Sequence, residues 1–127
     1  MPTLNSVISG FVVGDSKLLT RTVPGINTAD VVASAKLTVK ASPQELGYIF
    51  QKSITTGAVV GQGQITDAGG VGDGDGTAAL TFELTPTNTG RMVGDRAYYF
   101  DIEVTTAGSA KYTPESGTII ASSQITI

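Results

Sequence analysis

The sequence predicts an all-β domain, an antiparallel sandwich or small barrel of seven or eight strands. Apolar and polar residues alternate with a period of two in several segments, as they do on half-buried strands. Residues typical of turns separate these segments at short intervals, with 16 Gly and 5 Pro among the 127 residues. No segment offers ten residues of helical period, so a helical fold is disfavoured.

Three segments predict strands most clearly, because each has one apolar face. Residues 33–40 alternate Ala, Ala, Leu and Val with Ser, Lys, Thr and Lys. Residues 80–85 alternate Leu, Phe and Leu with Thr, Glu and Thr, and residues 98–105 alternate Tyr, Phe, Ile and Val with polar partners. The many Thr and Val residues favour strands, since β-branched side chains fit a pleated surface.

Four further segments complete the strand count. Residues 18–23 end at a Pro-Gly turn pair, and residues 116–127 form the last predicted strand. Residues 48–54 and 59–65 flank a Thr-Thr-Gly turn, which predicts a hairpin. Two glycines in the second of these strands indicate a bulge or a close backbone approach. One helical turn fits at residues 86–92, between two strands.

Residues 1–14 precede the first clear strand and are strongly apolar. We expect either an N-terminal arm that anchors the protein to a partner by apolar burial or strand addition, or the first strand of the domain itself. Residues 15–127 are predicted to form a single domain. The candidate partner-binding residues of the arm are Leu4, Val7, Ile8, Phe11, Val12 and Val13.

The composition excludes several function classes. The chain has no Cys, no His and no Trp, which removes disulfides, thiol nucleophiles and His-based general base catalysis. Acidic residues outnumber basic ones by 11 to 8, which argues against nucleic acid or an anionic membrane as the partner. No apolar run approaches the ~20 residues that a membrane-spanning helix needs. We expect no cofactor, no metal site and no signal peptide.

Two groups of acidic residues are candidates for a chemical site. Asp67, Asp73 and Asp75 lie in a Gly-Asp loop, but their spacing fits no calcium-binding template, so we predict a flexible connecting loop. Asp101 and Glu103 share a strand face with side chains roughly 7 Å apart. Nothing predicts the burial that would separate their pKa values, so we expect a solvated face. No catalytic residue is assigned, and we expect that the protein is not an enzyme.

Lys36, Lys40 and Lys52 lie on predicted strand faces, where we expect them to provide solubility and edge protection. Tyr98 and Tyr99 open a strand after a glycine, as the tyrosine corner of an immunoglobulin-like sandwich does. Because Tyr98 shares an apolar, inward face with Phe100, we predict that Tyr98, and not Tyr99, is the corner residue. The alternative is that Tyr98 is an ordinary core aromatic.

The C-terminal half contains two characteristic runs, GDGTAALTFELTPTNTGRM and YYFDIEVTTAGSAKYTPESGTI. With these runs it resembles small immunoglobulin-like β-sandwich domains of tailed-phage virion proteins, including the N-terminal domain of baseplate upper proteins. Residues 76–85, 87–92, 98–104 and 108–118 are similar to successive family motifs, whereas residues 18–54 match loosely. Asn88 stands where the family turn usually has Asp, and Met92-Val93 where it has Leu.

The resemblance implies an immunoglobulin-like β-sandwich that functions as a phage virion structural protein. We expect a capsid cement or decoration protein that ties neighbouring capsid subunits together, located in the virion and assembled in the host cytoplasm. Its partners would be capsid or tail subunits and further copies of itself, with neither nucleic acid nor membrane involved. The alternatives are a tail, neck or baseplate component, or a module that binds a receptor or carbohydrate.

Overall fold

A computed structural model describes residues 3–24, 31–69 and 77–123. In this part of the chain there are eight strands and one helical turn, so the prediction of an all-β protein is confirmed. The elements are β1 (Thr3–Ile8), β2 (Lys17–Val23), β3 (Val32–Lys40), β4 (Phe50–Ile54), β5 (Gly63–Asp67), β6 (Ala78–Leu84), α1 (Pro86–Thr89), β7 (Ala97–Thr106) and β8 (Lys111–Ile120).

The strands form two sheets, of five strands in the order β1-β8-β7-β3-β4 and three strands in the order β2-β6-β5. One hydrophobic core contains buried residues of both sheets. The clearest predicted strands became β3, β6 and β7, and β6 and β7 occupy sheet interiors with every second side chain buried. Alternation is most regular where a strand has a neighbour on each side and one face on the core.

One strand pair departs from the predicted antiparallel arrangement, because β1 and β8 run parallel. The two strands are far apart in the chain, so no hairpin dictates their relative direction. A period of two specifies which side chains face the core and carries no information on strand direction. Near this pairing, a Cβ on Gly117 would lie 1.9 Å from the backbone oxygen of Ser6. Only glycine allows β1 to approach so closely.

The predicted hairpin of residues 48–54 and 59–65 is wrong, because β4 and β5 belong to different sheets. The intervening segment crosses from one sheet edge to the other, and the Ile65 N–H donates to the Thr55 carbonyl at 2.7 Å. The predicted close approach occurs at Gly63, whose φ is +127° and whose absent Cβ would lie 2.0 Å from the Thr81 carbonyl oxygen.

The last strand begins five residues earlier than predicted, at Lys111, because it pairs with β7 directly after a short turn. Residues 124–127 lie outside the described residues. So do Asp73 and Asp75 of the Gly-Asp loop, whereas the Asp67 carboxylate accepts the Gly69 N–H at 2.8 Å. None of the described helical residues forms a helix of the length and hydropathy that crossing a bilayer requires.

We expect Gly117→Ala to destabilise the protein by about 1–3 kcal/mol, because the added methyl group collides with the β1 backbone. Urea unfolding measures the loss. Gly57→Ala is the matched control, since the nearest atom to a Cβ there is 3.9 Å away. Equal unfolding midpoints for the two variants would contradict the close β1–β8 approach.

Candidate interaction surface

Three connections meet at one end of the two sheets, which we call the α1 end. Residues 9–16 join β1 to β2, residues 41–49 join β3 to β4, and residues 85–96 join β6 to β7 and include α1. The strand registers place all three at the same end, since Lys17 pairs with Leu84 and Lys40 pairs with Tyr99. The α1 turn therefore lies among the other connections.

The sequence specifies the α1 turn through a capping box. The Thr85 side chain accepts the Asn88 N–H at 3.3 Å, and the Asn88 side chain accepts the Thr85 N–H at 2.9 Å. Pro86 occupies the first turn, where no N–H is needed. These contacts satisfy backbone donors that the start of a helix leaves free.

Thr89 fastens α1 to the connection between β1 and β2. Its side chain is fully buried; the hydroxyl donates to the Asp15 carbonyl at 2.8 Å and accepts the Gly14 N–H at 3.0 Å. A buried hydroxyl without partners is costly, whereas this one is satisfied as both donor and acceptor. Two connections that are far apart in sequence are thereby held together.

The rest of the β6–β7 connection is fastened to β7 and to the chain after β8. Tyr98 turns inward as predicted, and its hydroxyl accepts the Val93 N–H at 2.7 Å. The Asp95 carboxylate accepts the Ser123 hydroxyl at 2.6 Å, and the Asp95 N–H donates to the Ala121 carbonyl at 2.7 Å. The connection is thus held on both sides.

Large apolar side chains are exposed mainly toward the α1 end. Nine such residues are exposed among the described ones, and all except Tyr112 lie in the half of the molecule nearest α1. Leu46 and Val60 are almost completely exposed. The connection that carries Leu46 touches the α1 connection, since Arg91 donates to the Ile49 carbonyl at 3.2 Å. The segment that carries Val60 touches the end of β6, since the Gly61 N–H donates to the Glu83 carboxylate at 3.2 Å. We call Leu46, Tyr48, Val60 and Val93 the apolar end.

The candidate residues of the predicted N-terminal arm do not act together in this structure. Residues 3–8 form β1, Ile8 and Phe11 are buried in the core, and Val13 packs against it. Val12 pairs with Ser122, and Val7 is exposed. Leu4 lies in β1, and its side chain is outside the described residues. The chain's own core thus covers two of the six side chains.

A second surface feature is a groove of about 430 Å³ on the outer face of the five-stranded sheet, which we call the polar groove. Burial raises the pKa of the Asp101 carboxyl above its ordinary value, nearby Lys40 opposes this, and Glu103 adds to it. The predicted pair Asp101 and Glu103 shares this face, with Asp101 in the groove. Its lining includes Asn5, Thr38, Lys40, Tyr99, Asp101, Ser116 and Thr118.

Charged side chains close the two open edges between the sheets. The expectation that Lys52 provides solubility is wrong, because Lys52 is 3% exposed and its ammonium donates to the Gly61 carbonyl. Burial lowers its pKa, Glu83 opposes that effect and Arg91 adds to it. At the opposite edge, Arg21 and Glu115 form an ion pair in which Arg21 Nε lies 3.0 Å from Glu115 Oε1. The Arg21 Nε–H is not aligned for a hydrogen bond.

No group of three or more acidic side chains in the described ranges is arranged to hold a metal ion. Comparison of the chain with models of protein families and with curated proteins gave no match.

The buried Lys52 ammonium has a consequence for stability at alkaline pH. Because its folded-state pKa is lowered, the unfolded chain binds more protons than the folded chain between the two pKa values, and stability rises with pH there. We expect the free energy of unfolding of the native protein, minus that of Lys52→Met, to increase as the pH rises toward the ordinary lysine pKa of about 10.5. Urea unfolding across this range measures it.

The exposed Lys36→Met variant controls for the general effect of removing one lysine charge. A difference between the native protein and Lys52→Met that falls as pH rises would contradict the assignment of Lys52 as a buried ammonium.

Proposed function

We propose that the protein is an immunoglobulin-like β-sandwich that serves as a structural protein of a tailed-phage virion. The strand order supports the fold, because β8-β7-β3-β4 corresponds to strands G, F, C and C′, and β2-β6-β5 to strands B, E and D. The Tyr98 hydroxyl, bonded to the backbone five residues upstream, matches a tyrosine corner.

The role we propose is that of a capsid cement or decoration protein, which docks through its apolar end on neighbouring capsid subunits and ties them together. The observation that carries this role is the concentration of exposed apolar side chains toward the α1 end, where the connection that carries Val93 is fastened. Exposed apolar surface concentrated in one region of a folded domain marks sites of protein association. Tyr48 and Arg91 fit this reading, since Tyr and Arg are enriched in protein interfaces.

This role also implies which partners the protein binds and where it is located. Capsid subunits and further copies of the chain would surround it in the assembled particle, which forms in the host cytoplasm. The net charge of −3 argues against nucleic acid as the partner. A tail, neck or baseplate position would use the same apolar end, so copy number separates the two.

The test combines copy number with variants of the apolar end. Purified particles of the phage that encodes the protein are analysed by quantitative gel electrophoresis, and we expect hundreds of copies per particle. Leu46→Ser combined with Val60→Ser should reduce the bound copies at least roughly tenfold, because apolar contact area is lost. Both positions are exposed, so stability should change by no more than about 0.5 kcal/mol each.

Tyr112→Ser is the matched control, because Tyr112 is also exposed but lies toward the other end. A few dozen copies would assign the protein to the tail instead of the capsid. Absence from the particles, or loss of binding in the control alone, would contradict the proposal.

A further inference from the structure

We propose that the polar groove is a binding site for a neutral saccharide unit. The groove lies across the outer face of β1, β8, β7 and β3, apart from the apolar end, so this site is independent of the virion role.

Cross-strand register brings the groove's side chains together in two rows. Lys40, Tyr99 and Thr118 are direct partners across three strands, and Thr38, Asp101 and Ser116 form the next row. Directly opposed side chains on one sheet face lie about 5 Å apart. Six polar or aromatic side chains therefore converge on a small area of the sheet.

A bulge in β1 supplies the wall of the groove. The register of β1 against β8 shifts between Thr3 and Ser6, and Asn5 within this bulge has a φ of +61°. Bulges redirect side chains, and Asn tolerates the left-handed conformation better than most residues. The bulge thus places the Asn5 amide beside the two rows.

Several hydrogen-bonding groups in the groove are unused. The Asp101 carboxylate accepts no hydrogen bond from any described residue, and the hydroxyls of Tyr99, Ser116 and Thr118 and the Asn5 amide form none with side chains or backbone of that part of the chain. By contrast, the Lys40 ammonium donates to the Glu45 carbonyl at 3.0 Å. An acceptor-only carboxylate beside amide and hydroxyl donors is therefore open to a ligand that both donates and accepts.

A saccharide meets these requirements. Its vicinal hydroxyls donate to a carboxylate and accept from an amide or hydroxyl, while its apolar ring face packs on an aromatic side chain such as Tyr99. The Lys40 and Asp101 charges offset each other locally, which favours a neutral ligand over an anion or a cation. The groove volume of about 430 Å³ lies within the ~300–1,000 Å³ of small-ligand sites.

The test is binding of the native protein to an array of neutral and acidic oligosaccharides, followed by titration with the strongest neutral ligand. Tyr99→Ala removes the stacking ring, Asp101→Asn removes the charge at constant shape, and Asn5→Gly removes the amide while tolerating the positive φ. We expect each to raise Kd at least roughly tenfold. Tyr112→Ala is the control, because Tyr112 is 41% exposed and Tyr99 40%.

Asp101→Asn should leave the protein folded at neutral pH, since burial disfavours the ionised carboxylate that this change removes. Arginine amide serves as a cationic probe. Binding of arginine amide without any saccharide, absence of all saccharide binding, or affinity that survives both Tyr99→Ala and Asp101→Asn would overturn the proposal. Each outcome leaves the test of the apolar end unaffected, because particle copy number does not depend on the groove.

Discussion

The buried hydroxyl of Thr89 holds the α1 end together, because it must find a donor and an acceptor where water is excluded. It finds them in the Gly14 N–H and the Asp15 carbonyl, which belong to another connection. The buried Tyr98 side chain fixes Val93 in a similar way, because its hydroxyl accepts the Val93 N–H. Val93 is therefore presented from a connection that is already ordered, which lowers the entropy lost when a partner docks.

Charged groups have a different role at the open edges of the two sheets. Lys52 reaches the Gly61 carbonyl at one edge, and Arg21 meets Glu115 at the other, where Ser6 also donates to Glu115 at 2.7 Å. Apolar side chains alone would leave the backbone of the crossing segment without partners. These polar contacts cover both edges and leave the sheet face around Asp101 free for other interactions.

The sequence predicts the central strands well, because alternation in β6 and β7 directly reflects which side chains the core buries. In β3 the alternation is wrong at Ala33, which is exposed where the register against β7 shifts. The prediction fails for β4 and β5, since a period of two does not say which sheet a strand joins. The burial of Lys52 was predictable from the sequence, because Lys52 shares its strand face with the apolar residues Phe50 and Ile54. Neither candidate surface could be predicted from the alternation of apolar and polar residues. Leu46 and Val60 lie in irregular connections, and the polar groove depends on the register of four strands.

The central claim is that the β6–β7 connection is a fixed platform and not a mobile loop. Native-state hydrogen exchange followed by NMR tests this at individual amides. Connections usually exchange quickly, whereas hydrogen-bonded amides that open only with the whole fold exchange slowly. We expect the Gly14, Val93 and Asp95 amides to be protected nearly as well as those of β7. Exchange of these three amides as fast as that of the exposed Thr56, Ala58 and Val60 amides would contradict the fixed platform.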